Sequence, residues 1–274
     1  LQAAGTVTLQ NCLLSLDAEV QVPAQEAGVL IEIPVREGQQ VNKGDLLAQI
    51  DDILPKMKYN VAYYKLKVAE KEASNDVEVR YSIAAYRYAG AKLQRSLSAN
   101  EKTANTRSEE EIDEQKLDKE KSKLMIEKSQ KDLDVAGLQK EVGRAELEAA
   151  KADLEHRKLL APMNAVVVEL TRHEGEWVQQ GDTVMRLVKV DPLRVQGYLD
   201  AEKYRPTDVQ NQPAQVVVTM PSGQKESFPG TVTYVNPVIR GGNFQIRAEV
   251  RNRKDGDFWI LNPGMKAEMT IQLK

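Results

Sequence analysis

Gly28-Val29-Leu30-Ile31-Glu32-Ile33-Pro34-Val35-Arg36-Glu37-Gly38-Gln39-Gln40-Val41-Asn42-Lys43-Gly44-Asp45-Leu46-Leu47-Ala48-Gln49-Ile50 returns 137 residues later. The second copy reads Ala165-Val166-Val167-Val168-Glu169-Leu170-Thr171-Arg172-His173-Glu174-Gly175-Glu176-Trp177-Val178-Gln179-Gln180-Gly181-Asp182-Thr183-Val184-Met185-Arg186-Leu187. Without a gap, Glu32 meets Glu169, Glu37 meets Glu174, Gly38 meets Gly175, Val41 meets Val178, Gly44 meets Gly181 and Asp45 meets Asp182. A buried valine with a glycine three residues to either side predicts a loop anchored at its centre, with a sharp positive-φ corner at each end. Gly38, Gly44, Gly175 and Gly181 are therefore the structural turns of the two halves. Neither half buries its apolar face alone, so the two are expected to pack as a small pseudo-twofold β-sandwich.

What separates the copies is a different kind of sequence. None of the 11 prolines falls between Pro55 and Pro162, and residues 52–158 hold 43 charged side chains in 107 positions with three glycines, Gly90, Gly137 and Gly143. That composition predicts long solvated helix. Ile83, Tyr86, Gly90, Leu93 and Leu97 step by 3 and 4, as an a/d seam does. Leu117 and Leu124, then Val135, Leu138, Val142, Ala145, Ala149 and Ala152, predict a second seam. Residues 98–107 lack large apolar side chains and contain turn formers, so the chain is expected to reverse there. Two antiparallel arms of roughly 45 residues result, each reaching about 70 Å. Pro55 is tolerated in the first turn after an Asp52 cap. Outside the hairpin, dense Val, Ile and Thr with frequent Gly and Pro predict β-strands and tight turns.

Composition removes several function classes. With 41 acidic against 38 basic residues, a net charge of −3 gives no basic footprint for nucleic acid. Cys12 is the single cysteine and His156 and His173 the two histidines, which argues against a zinc or iron–sulfur site. Both histidines read as solvated surface side chains. There is no apolar run of about 18 residues to span a bilayer, and the G-x-S-x-G, P-loop and H-E-x-x-H motifs are absent. No enzymatic activity, metal or cofactor is expected. Because the sequence starts at Leu1, an N-terminal segment carrying an export signal or anchor is expected to have been removed.

The repeated pattern G-x-V/I-x5-V-x2-G-x2-V-x2-G-D-x-L-x2-I resembles the biotinyl/lipoyl domain, and its interruption by a helical hairpin resembles the membrane fusion proteins, the HlyD-type periplasmic adaptors. Asp191–Leu199, the stretch 228–238 and 261–267 (Leu-Asn-Pro-Gly-Met-Lys-Ala) are similar to strands of that family's β-barrel domain. The resemblance implies a mixed α and β chain of three modules. Residues 23–51 and 159–188 form the lipoyl-like domain, 52–158 the coiled-coil hairpin, and 1–22 with 189–274 the β-barrel. It further implies a periplasmic adaptor, anchored to the inner membrane through the missing N-terminal segment. Such an adaptor links an inner-membrane transporter to an outer-membrane channel in a tripartite efflux pump or type I secretion system, as a ring, often of six copies.

Two rival readings come from other classes. A biotinyl or lipoyl carrier needs an exposed lysine at the turn after the first half, where this sequence has Leu54; Lys56 and Lys58 fall in the first helix turns instead. A stand-alone coiled-coil scaffold leaves the repeat and barrel unexplained.

In the family the hairpin tip carries Arg, then Leu four residues on, then Ser seven further, and is thought to meet the channel. Ser108, Glu111 and Asp113 match the second half of that motif. Counting back places Glu101 at the leucine and Leu97 at the arginine; a shifted loop brings in Arg95 and Leu97, and Arg107 adjoins. Ser108-x-x-Glu111 is also a capping box, expected in any helix starting there. Cap alone and cap with partner contact both fit the sequence.

Overall fold

The computed structural model describes residues 5–103, 106–220, 223–256 and 258–274. In chain order the elements begin with β1 (Thr6–Pro23), β2 (Gly28–Glu32), β3 (Gln40–Val41), β4 (Leu46–Ile50), α1 (Ile53–Ala73), α2 (Val77–Lys102) and α3 (Glu109–His156). They continue with β5 (Lys158–Leu160), β6 (Ala165–Leu170), β7 (Trp177–Val178), β8 (Thr183–Asp200), α4 (Pro206–Val209) and β9 (Pro213–Thr219). The last are β10 (Lys225–Val235), β11 (Asn243–Val250), β12 (Lys254–Asp255), β13 (Phe258–Trp259) and β14 (Lys266–Gln272). The chain divides into one unit of Leu1–Asp51 with Arg157–Lys274 and a second of Asp52–His156.

In the first unit the repeat folds onto itself by exchanging equivalent hydrogen bonds. Gly44 N–H donates to the Ala161 carbonyl at 2.8 Å, and Gly181 N–H donates to that of Ala24 at 2.9 Å. Gly38 N–H reaches the Val167 carbonyl and Gly175 N–H that of Leu30, both at 2.7 Å. The four glycines have φ of +83°, +94°, +86° and +92° for Gly38, Gly44, Gly175 and Gly181, a region that strains residues with a Cβ. Glu37 and Glu174 are matched too. The first accepts from Leu170 N–H at 2.9 Å and the second from Ile33 N–H at 2.7 Å, each carboxylate holding the other half's backbone. Val41 and Val178 are buried in a shared core with Leu30, Leu47, Leu159 and Leu187.

The remaining strands close on themselves. The order β1-β14-β9-β10-β11-β8, with β8 pairing back to β1, makes a six-stranded antiparallel barrel around Phe228, Phe244, Ile246 and Met269. Closure leaves this barrel no free edge. β1 and β8, 18 residues each, run on past the barrel into the repeat core. They stay paired from Leu13–Gln196 to Pro23–Thr183, so β1 reaches its end at Pro23 within the repeat core while residues 188–189 lie inside β8. Asp17 sits at a bulge in this ribbon, between Lys189 Nζ at 2.8 Å and Arg194 Nη2 at 2.7 Å. The hydrogen bond from Lys189 and the charge of Arg194 hold its carboxyl below the usual range.

In the second unit α1 and α2 both pack against α3, which at 48 residues extends about 72 Å. Three expectations need correction. The first arm is two helices rather than one. Ser74-Asn75-Asp76 breaks it, because Ser74 Oγ donates to the Lys71 carbonyl at 3.0 Å and Asn75 Oδ1 accepts from Val77 N–H at 3.3 Å. Such side chains compete with the helix for its own backbone groups. Asp52 occupies the N-cap of α1, but its side chain makes no cap hydrogen bond.

The largest correction concerns the seam of α3. Leu117, Leu124, Val135, Leu138 and Val142 are 51–68% exposed. The face turned to the first arm lies two residues earlier, some 200° around the helix. It carries Gln115, Ser129 and Gly143, which are buried, with Ile126, Leu133 and Leu147 half-buried. Those buried positions are small or polar because the helices approach closely: a Cβ on Gly143 would stand 3.3 Å from Leu66 Cα. On α2 the seam does include Leu93, buried, and half-buried Tyr86 and Ile83.

Candidate functional site

The hairpin tip lies between Lys102, the end of α2, and Glu109, the start of α3. Ala104 and Asn105, inside the expected reversal, lie outside the described residues. Helix α3 starts with three carboxylates, Glu109, Glu110 and Glu111, in its first turn. These complement the positive end of the helix dipole. Ser108 and Glu111 satisfy each other's backbone: Glu111 N–H donates to Ser108 Oγ at 3.2 Å, and Ser108 N–H to Glu111 Oε2 at 3.3 Å. Arg107 Nη1 stands 3.6 Å from Glu111 Oε1, and Lys116 Nζ lies 2.8 Å from Asp113 Oδ1.

A residue that sequence reasoning used only as a turn former holds the tip together. Asn100, on the last turns of α2, accepts from Arg107 N–H at 2.7 Å and donates through Nδ2 to the Arg107 carbonyl at 2.9 Å. Thr106 Oγ1 donates to the Thr103 carbonyl at 2.7 Å. An asparagine amide offers both a donor and an acceptor, which is the signal that could have singled it out. Ser108, Arg107, Glu111 and Asp113 are exposed and gather within two turns at the head of α3. Arg95 and Leu97 lie further back on α2. Arg95 is exposed, its Nε donating to the Ala91 carbonyl at 3.2 Å, and Leu97 is half-buried. Among the described residues the tip is an exposed polar cluster held by side-chain hydrogen bonds to its own backbone.

Leu54, where a carrier would need its lysine, is on the first turn of α1 and 69% exposed, with Lys56 and Lys58 exposed beside it. No group of three or more His, Cys, Asp or Glu that could hold a metal ion occurs among the described residues. Nor is any described helix long and apolar enough to cross a membrane.

The model of the barrel-sandwich hybrid domain of RND membrane fusion proteins matches residues 18–196, which include the whole repeat and hairpin. Among solved structures, MacA from Actinobacillus actinomycetemcomitans superposes with a TM-score of 0.64 at 21% identity over 99% of this chain and 79% of its own. The membrane fusion protein Spr0693 from Streptococcus pneumoniae R6 gives 0.61 at 15% identity, over 99% of this chain and all of its own. A MacA-MexA chimera carrying the Pseudomonas aeruginosa MexA α-hairpin gives 0.57 at 19% identity, over 100% of this chain and 83% of that one. At such identities the superpositions establish the fold, and the family match, spanning more than half the chain, establishes the lineage. A split repeat knit by exchanged hydrogen bonds, a barrel on shared strands and an inserted hairpin are those of an adaptor of efflux or secretion systems: this chain belongs to the membrane fusion proteins.

Proposed function

We propose that the chain is the periplasmic adaptor of a tripartite efflux pump or type I secretion system. It joins an inner-membrane transporter to an outer-membrane channel, assembles as a ring of six copies, and is held at the inner membrane by an N-terminal segment. Within it, 23–51 with 159–188 serve as the lipoyl-like module, 52–158 as the hairpin and 1–22 with 189–274 as the barrel, the first and last sharing the paired strands β1 and β8. The observation that carries this reading is the tip: exposed Arg107, Ser108, Glu111 and Asp113 at the head of a helix about 72 Å long, fixed by the capping box and Asn100. Ser108 is there both cap and contact, and Arg95 and Leu97 extend the contact along α2. Affinity purification of the tagged full chain from the solubilised envelope of its host tests it. An inner-membrane transporter and an outer-membrane channel should co-purify, both lost together when residues 95–113 are replaced by a short turn only if the tip also secures the transporter, and the channel alone lost if the tip serves it. Retention of the channel without the tip refutes the assignment.

A further inference from the structure

The exposed stripe of α3 is an apolar face turned away from the first arm, and α1 carries a second one. Leu54, Met57, Val61, Tyr64 and Val68 step by 3, 4, 3, 4 and are 57–69% exposed. On α3, Val135, Leu138, Val142, Ala145, Ala149 and Ala152 follow the same steps on the side away from the first arm. A second heptad stripe on each helix specifies a further helix–helix contact.

The rims of the two stripes carry opposite charge. Between Ile53 and Ala69 the sequence has four lysines and no acid. Lys58 and Lys65 follow Met57 and Tyr64, and Lys67 precedes Val68. On α3 the residues before Val135, Val142 and Ala149 are Asp134, Glu141 and Glu148, while those after Ala145 and Ala152 are Glu146 and Asp153. Some of these charges already have partners within the hairpin, such as Lys65 with Glu146 at 3.5 Å and Lys67 with Glu70 at 2.9 Å. Exposed pairs of this kind contribute little and leave the sign of each face intact. Opposite rims attract unlike faces and repel like ones, so α1 against α1 or α3 against α3 is disfavoured.

Size is complementary as well. Gly143 faces Leu66, which sets Tyr64 level with Ala145 and Met57 level with Ala152. Two hairpins side by side at the same height therefore bring large side chains of α1 onto alanines of α3.

We infer that the α1 stripe of one copy docks on the α3 stripe of the next, a second copy of this chain being the occupant of both faces. The contact is heterologous and passes from copy to copy, closing into a ring or extending as a filament. It rests on the ring reading above and names the surface by which the ring is built.

The test uses the full chain in its host, with Tyr64→Cys and Ala145→Cys on separate copies bearing different tags, and a short bismaleimide. Cys12 is a silent background, buried at 1% exposure with its thiol pushed up to about 11 by burial. An adduct holding both tags is expected only when the two variants are expressed together. Val61→Glu, at an exposed position, should cut that adduct at least about tenfold by setting a charge in the apolar seam while the melting of the protein is unchanged. Self-adducts of Tyr64→Cys alone overturn the inference. So does absence of the mixed adduct where an amine-reactive crosslinker still yields a ladder of copies, and there the ring survives with a different seam. Absence of the ladder removes both the ring and this contact.

Discussion

Ser108→Ala and Ser108→Asp separate the two roles given to Ser108. Its Oγ accepts one hydrogen bond, from Glu111 N–H at 3.2 Å. Alanine removes that acceptor and leaves the first-turn amide to water, a loss of about 1 kcal/mol. Because the tip opens locally rather than with the whole fold, the effect belongs to local exchange. About 1 kcal/mol corresponds to a roughly fivefold loss of protection, read at the Glu111 amide by hydrogen exchange. Aspartate keeps an acceptor at the same place and adds a charge the helix dipole favours, though Glu109, Glu110 and Glu111 oppose it by a few tenths of a kcal/mol. Protection in Ser108→Asp should therefore stay within about twofold of the native chain. The same substitution removes a hydroxyl donor and places a negative charge on the contact surface, so channel crosslinking and transport should fall. Fivefold faster exchange in Ser108→Asp refutes the capping argument, and undiminished crosslinking by Ser108→Asp moves the contact to Arg107 or Asp113.

Three further outcomes follow from the packing and charges. Gly137 has open space around it while Gly143 faces Leu66 at 3.3 Å; Gly137→Ala should raise stability by about 1 kcal/mol and Gly143→Val lower it by about 1–3 kcal/mol through overpacking, and equal gains at both would mean that α3 is rotated. Asp17, held below its ordinary 3.8 by Lys189 and Arg194, contributes stability that is complete above that value and lost as the pH falls through its lower folded value. Melting of the native chain should drop below about pH 4 more steeply than that of Asp17→Asn, and parallel curves refute the link. The intact mass of the protein from its host should show no lipoyl or biotinyl adduct, since Leu54 holds the acceptor position; a lysine adduct contradicts the adaptor reading.

The β architecture was legible because it rests on backbone demands that few residue types meet. Glycine at the corners and valine between them recur at one spacing, and the matched Glu37 and Glu174 were visible in the alignment before their hydrogen bonds gave them a reason. The presence of the hairpin was legible from missing proline and dense charge. Which face of α3 turns inward was not, because size pointed the wrong way: close approach at Gly143 and Ser129 wants small side chains, and the larger Leu138 and Val142 were left outside. The break at Ser74-Asn75-Asp76 lies inside a long charged stretch without proline or glycine, and three consecutive turn formers are its one mark in the sequence. At the tip Ser108-x-x-Glu111 was readable as a cap, whereas the two hydrogen bonds of Asn100 to Arg107 join residues whose proximity depends on how the loop closes.

The most direct measurement of the adaptor reading is site-specific photocrosslinking in living cells from a photoreactive residue at position 107. The tip is expected to yield an adduct with an outer-membrane channel protein, identified by mass spectrometry. An adduct at that position only with the inner-membrane transporter, or only with further copies of this chain, contradicts the account.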